Sequence, residues 1–287
     1  GDTEQLPSVG CGNVLHEIIS SGAIPVTRLT TIFRQAEGNS IVTNAQRIRD
    51  GNPELEWTDD FAFVYAPEAA QVYEAAAALY CKCVSQVGLQ NVMLRNPYRN
   101  KGIISAMELN HRIQQILNPA RAGELEMKCG ATVYRKGDLV MQTRNTDLIA
   151  NGDTGIITDI FHRGEERGKT LPICRIRFSD DVTVEYERKD MEHVTLAYCA
   201  TIHKSQGSEY DTVLLVLHDS HRNMLRRNLI YTGITRAINR VAVIGTETAV
   251  QTAIQSNELN QRNTKLADRL KKQDIFSLQV GAKDESL

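Results

Sequence analysis

The sequence predicts an α/β fold, a parallel sheet with flanking helices, interrupted by a small antiparallel β-domain. Three observations carry this. Thr212–Leu217 and Arg240–Ile244 are short runs rich in Val, Leu and Ile without polar alternation, as expected of strands buried on both faces. Helix-like segments alternate with such runs before residue 118 and after residue 191. Between them, from Gly130, about 60 residues hold closely spaced short strands separated by turn signals, the texture of a small barrel.

The elements follow in chain order. Asn39–Asp50 places Ile41, Ala45 and Ile48 on one helical face and stops at Gly51-Asn52-Pro53. Phe61–Tyr65 is strand-like. Pro67–Val87 is an alanine-rich helix opening at a proline, a favoured first helical position. Asn91–Leu94 is a short strand, and Asn96-Pro97-Tyr98 turns. Ser105–Leu117 is a helix closed by Asn118-Pro119. Leu139–Thr143, Gly155–Phe161, Ile173–Phe178 and Val182–Tyr186 are the strands of the β-domain, divided by Asn151-Gly152-Asp153, Arg163-Gly164 and Ser179-Asp180-Asp181. A further strand ends near Ala200.

Composition sets wider bounds. The chain has 287 residues, 41% hydrophobic and 24% charged, ordinary values for a globular protein with a real core. The formal net charge of −2 neither advertises nor excludes nucleic acid, because a basic footprint is local. No apolar run has transmembrane length and no signal peptide opens the chain, so the expectation is a cytoplasmic protein without a membrane partner. The six cysteines form no CxxC pair and have no histidine at zinc spacing, which predicts reduced thiols and no metal site.

A phosphate-binding P-loop is not found. The nearest text, Gly164-Glu165-Glu166-Arg167-Gly168-Lys169-Thr170, is one residue short between its glycines, and its two glutamates would face a phosphate. Strand-like segments flank it on both sides, whereas a P-loop needs a helix after it. It reads as a polar hairpin tip.

Five segments carry chemistry. Gly1-Asp2-Thr3-Glu4-Gln5-Leu6-Pro7 can place the Gln5 amide within reach of a terminal phosphate oxygen, or can be a solvated turn. Thr30-Thr31-Ile32-Phe33-Arg34-Gln35 offers Arg34, whose planar fork suits a phosphate as well as it suits the protein surface. In Val92–Gly102, Arg95, Arg99 and Lys101 flank Tyr98, a combination suited to phosphate contact with base stacking; without a partner it is a basic loop. Glu108-Leu109-Asn110 follows. In Thr201–Glu209, the donors Thr201, His203 and Ser205 can face a DNA phosphate, and Gly207 allows a close backbone approach. His203 taken alone is equally an ordinary half-buried histidine. Tyr231-Thr232-Gly233-Ile234-Thr235-Arg236-Ala237 ends on an arginine able to spread charge over phosphoryl oxygens.

In this order the segments at Gly1, Thr30, Thr201 and Tyr231 resemble motifs III, IV, V and VI of superfamily 1 DNA helicases. With the Val92–Asn110 segment and the inserted barrel, the resemblance is to RecD-like members: the α subunit of exodeoxyribonuclease V, its stand-alone relatives and the helicase part of conjugative relaxases. Arg95-Asn96 before Pro97 departs from the small or apolar residue and serine that such relatives tend to have.

The resemblance implies a RecA-like, P-loop-NTPase-type second motor domain at 26–129 and 191–287, an SH3-like barrel inserted at 130–190, and residues 1–25 as the tail of a first RecA-like domain. It implies that the P-loop and an acidic Mg2+ motif precede residue 1, so ATP and Mg2+ are held mainly by that domain. Gln5, Arg34 and Arg236 would meet the γ-phosphate, with Arg236 as the arginine finger, and Gly207 and Glu209 would complete the nucleotide site. Arg95, Tyr98, Arg99, Lys101, Asn110, Thr201, His203 and Ser205 would bind single-stranded DNA. The partners implied are that strand, the first RecA-like domain, and nuclease or relaxase subunits. The rival readings are a stand-alone DNA- or protein-binding module, which would not need the three ATP-facing residues together, and a nuclease subunit, for which no clustered acidic two-metal arrangement is seen.

Overall fold

The computed structural model describes residues 1–7, 10, 12–28, 39–166, 169–178, 182–202, 209–256 and 264–272. The chain opens with the helix α1 (Val14–Ser21), then α2 (Ser40–Asp50), capped by the Asn39 side chain accepting from the Ile41 amide. Strand β1 (Phe61–Tyr65) has the expected bounds. Helix α3 (Ala69–Val87) starts two residues beyond Pro67, because Glu68 and Gln71 form a reciprocal capping box that sets the first turn. Strand β2 (Val92–Asn96) and helix α4 (Ala106–Leu117) follow, the latter capped by Ser105. Next come β3 (Glu126–Cys129), β4 (Thr132–Arg135), β5 (Leu139–Gln142), β6 (Thr154–Glu166), β7 (Lys169–Phe178), β8 (Thr183–Glu187), β9 (Val194–Leu196) and β10 (Cys199–Thr201). The chain continues with β11 (Tyr210–Leu217), α5 (Arg227–Ile234), β12 (Ala237–Gly245), α6 (Glu247–Gln255) and α7 (Leu266–Lys272).

Two main sheets result. One is all-parallel, in the order β1-β12-β11-β2-β10. Its central strand β11 is buried at seven of eight positions, the pattern foreseen for a sheet covered on both faces. Helix α3 packs on β2, β11 and β12 and against α4, while α5 packs on β11 and β12 and against α2 and α6. Gly245 ends β12 at φ 146°, where an added Cβ would stand 1.6 Å from the Leu217 carbonyl oxygen, so only glycine lets the two strand ends lie side by side. The second sheet is antiparallel, in the order β8-β7-β6-β5-β9. It contains the four strands read from sequence together with β9, whose three residues are too short to show a period. The Gly164 segment is the tip of the β6–β7 hairpin, with Glu166 paired to Lys169. Hairpin β3–β4 lies outside both sheets.

Strand β2 runs two residues past its expected end. Arg95 pairs with Ala200 and Leu215, and Asn96 with Thr201, so neighbouring strands draw two polar residues into the sheet. This is tertiary context overriding a local reading of Arg95-Asn96-Pro97 as a turn.

A buried carboxylate ties the sheets together. Asp138, at the start of β5, is 0% exposed. Its Oδ1 accepts from Asn118 Nδ2 (2.7 Å) and the Tyr198 hydroxyl (2.9 Å); Oδ2 accepts from Gln114 Nε2 (2.6 Å) and the Arg135 amide (2.7 Å). Gln114 and Asn118 lie where the chain leaves the parallel-sheet layer, and Tyr198 where it returns. Burial nonetheless raises the Asp138 pKa, with Asn118 the first of the donors opposing that rise.

Candidate nucleotide-facing cleft and nucleic-acid interface

The first site begins with α5. Gly233 lets this helix lie close to the sheet, since a Cβ there would come 3.3 Å from Leu215 Cδ1. After Ile234 the chain turns, with the Thr235 hydroxyl donating to the Tyr231 carbonyl at 2.9 Å, and enters β12 directly after Arg236. Residues 1–7 dock on this helix end. The Leu6 amide donates to Thr232 Oγ1 at 2.8 Å, and Thr232 Oγ1 donates to the Asn228 carbonyl at 2.7 Å. The Arg236 guanidinium donates to Gln5 Oε1, and Gln5 Nε2 donates to Asp2 Oδ2 at 3.2 Å. Arg236 is 8% exposed and faces a cleft of about 350 Å³ lined also by Gly1, Gln5 and Asn13. Tyr231 on the same helix has its pKa pushed up to about 12 by burial, with Asp2 beside it adding to the rise.

Gln5 and Arg236 are therefore brought together as an amide and a guanidinium beside one cleft. Such donors fit phosphate oxygens. Glu209 is exposed immediately before β11 and does not line the cleft. Arg34 and Gly207 lie outside the described residues. No group of three His, Cys, Asp or Glu side chains able to hold a metal occurs among the described residues.

The second site lies where β10 and α4 meet the antiparallel sheet. The Asn96 side chain donates to the Ile104 carbonyl, and the Ala106 and Met107 amides donate to the Tyr98 and Arg99 carbonyls, both at 2.9 Å. These bonds fold the 97–105 loop back onto α4 and hold Arg99 and Lys101 outward, where both are exposed. Tyr98 is half-buried, edge-on to His221 at 5.2 Å, with Lys101 Nζ 5.4 Å from its ring centre. Arg99, Asn110 and Thr201 line one cavity of about 240 Å³ with His111, Tyr134 and Met141.

Two expected DNA contacts lie inside the protein instead. Asn110 is 5% exposed; its Nδ2 donates to the Cys199 carbonyl (2.7 Å) and its Oδ1 accepts the Cys199 amide (2.8 Å), so both halves of its amide grip the edge strand β10. Arg95 is 0% exposed, its Cζ 5.3 Å from the Tyr210 ring centre. A side chain enclosed by its own sheet cannot meet a strand on the surface. His203 and Ser205 lie outside the described residues. Sequence reading missed His221, 0% exposed, whose pKa burial pushes down to about 4, with His218 nearby acting in the same direction. It also missed Tyr210 and Asp138. None of these sits in a motif, and their roles arise only from contacts between distant elements.

Comparison with known proteins gives three family matches: an AAA domain over residues 1–69, the ATP-dependent RecD-like DNA helicase SH3 domain over 109–178, and the UvrD-like helicase C-terminal domain over 196–244. The ATP-dependent RecD2 DNA helicase of Deinococcus radiodurans is 32% identical over 274 residues, covering 94% of this chain and 35% of that protein. The RecBCD enzyme subunit RecD of Mycolicibacterium smegmatis is 28% identical over 287 residues, covering 94% of this chain and 48% of that protein. The chain thus spans between a third and a half of these relatives. Among solved structures, Pif1 helicase from Bacteroides in complex with ADP-AlF3 and ssDNA superposes with a TM-score of 0.50 at 16% identity, covering 87% of this chain and 62% of that one. At that identity the likeness is one of fold.

Proposed function

Since the chain belongs to the RecD-like superfamily 1 DNA helicases and carries their SH3 and UvrD-like C-terminal domains, we propose that it is the C-terminal motor portion of an ATP-dependent, 5′-to-3′ DNA helicase. The observation that carries this reading is the contact between Gln5 and Arg236, which sets two phosphate-seeking groups from opposite ends of the chain beside one cleft.

In this reading ATP lies between this portion and an N-terminal RecA-like domain that holds its P-loop. Mg2+ would be held by that N-terminal domain, where it would neutralise phosphate charge. Arg236 exchanges its bond to Gln5 for the γ-phosphate oxygens and stabilises charge as it moves toward the leaving group. Gln5 reports whether that phosphate is present, and Arg34 adds a second cation. Gly207 gives the backbone close access, and Glu209 meets the ribose. Loss of the phosphate releases these contacts and the cleft opens, a two-state domain motion. Single-stranded DNA is gripped by Arg99, Lys101 and Tyr98 together with Thr201, His203 and Ser205. Arg95 and Asn110 act from beneath that surface, Asn110 by holding the strand that carries Thr201.

The test is DNA-stimulated ATP hydrolysis by the intact helicase. Arg236→Ala should lower turnover on the order of 10³-fold while leaving single-strand affinity unchanged. Unchanged turnover would remove Arg236 from the nucleotide site. Residues 1–287 alone, lacking a P-loop pattern, should show no DNA-stimulated turnover.

A further inference from the structure

Arg95 has the largest fully buried side chain among the described residues. It sits in β2 between β10 and β11. None of its three guanidinium nitrogens makes a well-aligned hydrogen bond among the described residues, though the Tyr210 side chain favours its charge. Its contact is with the face of Tyr210, Cζ lying 5.3 Å from the ring centre. Burial pushes its pKa down to about 10, which still leaves it charged at neutral pH. A buried cation with no ion pair among the described residues is an unfavourable arrangement in a protein interior.

Tyr210 links this charge to the cleft. Its amide donates to the Arg236 carbonyl at 3.0 Å, and it pairs in register with Ala237, the next residue. The order is therefore Arg95, the Tyr210 ring, the Arg236 backbone, and the Arg236 side chain at the cleft beside Gln5. Among the groups that act on Arg95 electrostatically, Arg236 is a like charge. Arg95, Tyr210 and Arg236 are all buried, so the field is weakly screened. An anion entering the cleft is attracted by both cations and relieves their repulsion.

We propose that Arg95 is a positioning residue whose fixed positive charge, set behind Tyr210 and Arg236, strengthens the hold of the Gln5–Arg236 cleft on a polyphosphate anion. This rests on the nucleotide reading of that cleft. It predicts opposite signs for one substitution: removing the charge stabilises the fold and weakens the anion site. A merely structural arginine would lower both together.

The experiment is a ³¹P NMR titration of inorganic triphosphate into the 287-residue chain, with thermal unfolding of each variant. Arg95→Met keeps length and apolar contact; Arg95→Lys keeps the charge. Arg95→Met should bind triphosphate about fivefold more weakly and melt at a higher temperature, while Arg95→Lys binds as the wild type does. Wild-type binding that is lost in Arg236→Ala but unchanged in Arg95→Met overturns this proposal alone. So does a loss in Arg95→Lys equal to that in Arg95→Met, or a lower melting temperature for Arg95→Met. No binding by the wild type overturns this proposal, and no effect of Arg236→Ala on binding overturns the nucleotide reading of the cleft and this proposal with it.

Discussion

Gln5 and Arg236, 231 positions apart in the chain, are joined side chain to side chain, the guanidinium donating to the amide oxygen. The pairing requires that residues 1–7 dock on the end of α5, which the Leu6–Thr232 hydrogen bond secures. Gln5→Ala removes the amide that would donate to the γ-phosphate once Arg236 releases it, without touching that dock. A hydrogen bond to a charged group is worth ~1.5–3 kcal/mol, so DNA-stimulated phosphate release by the intact helicase should fall about 10- to 100-fold. Circular dichroism should show the fold unchanged.

The exposed loop cations give a different signature. If Arg99 and Lys101 each neutralise one phosphate, each alanine variant should lower single-strand affinity and reduce the slope of log affinity against log salt by about 0.7. Fluorescence anisotropy with a labelled oligonucleotide at several salt concentrations measures this. An unchanged slope would place the strand elsewhere.

Asp138 should matter for stability. In Asp138→Asn one carboxylate oxygen becomes an NH₂ group, yet each oxygen now faces two donors. A buried donor set against donors should cost about 3 kcal/mol. Urea unfolding measures it, and proteolysis between Asn118 and Asp138 should quicken as the antiparallel sheet loosens from α4.

His221 sets a pH dependence. Its folded pKa is depressed from 6.5 to about 4. The stability it contributes is present above pH 6.5 and is lost as pH falls through 4, because the unfolded chain takes up the proton first. The full span is ~3 kcal/mol. Its Nδ1 accepts the His218 amide at 3.3 Å, so His221→Asn keeps an acceptor there and removes the titration. Thermal unfolding of this variant should depend less steeply on pH between those limits, whatever its absolute stability.

The parallel core was legible because Thr212–Leu217 and Arg240–Ile244 carry their burial in their composition, and both strands formed. The β-domain was legible through its turns, which punctuate four of its five sheet strands. Strand β9 and hairpin β3–β4 were not, being three or four residues long with little period of their own. Of the residues proposed to face the nucleotide, Gln5 and Arg236 were legible as motif positions, while Arg34 and Gly207 fall outside the described residues.

By itself the sequence determined the longer strands and three of the helices, where the β-domain interrupts them, and which residues have phosphate-seeking chemistry. Local periodicity, turn residues and motif order act over a few positions, so a linear reading captures them. Tertiary structure alone decided which of those residues face outward. Arg95 and Arg99 are four residues apart and look alike in sequence, yet one is enclosed between β10 and β11 while the other is exposed at the mouth of a cavity. Strand pairing at Ala200 and Leu215, distant in the chain, makes that difference. The same holds for Asn110, whose grip on Cys199 spans 89 positions, and for Asp138, whose donors come from both sides of the interruption. Burial is set by long-range neighbours, and no local pattern records them.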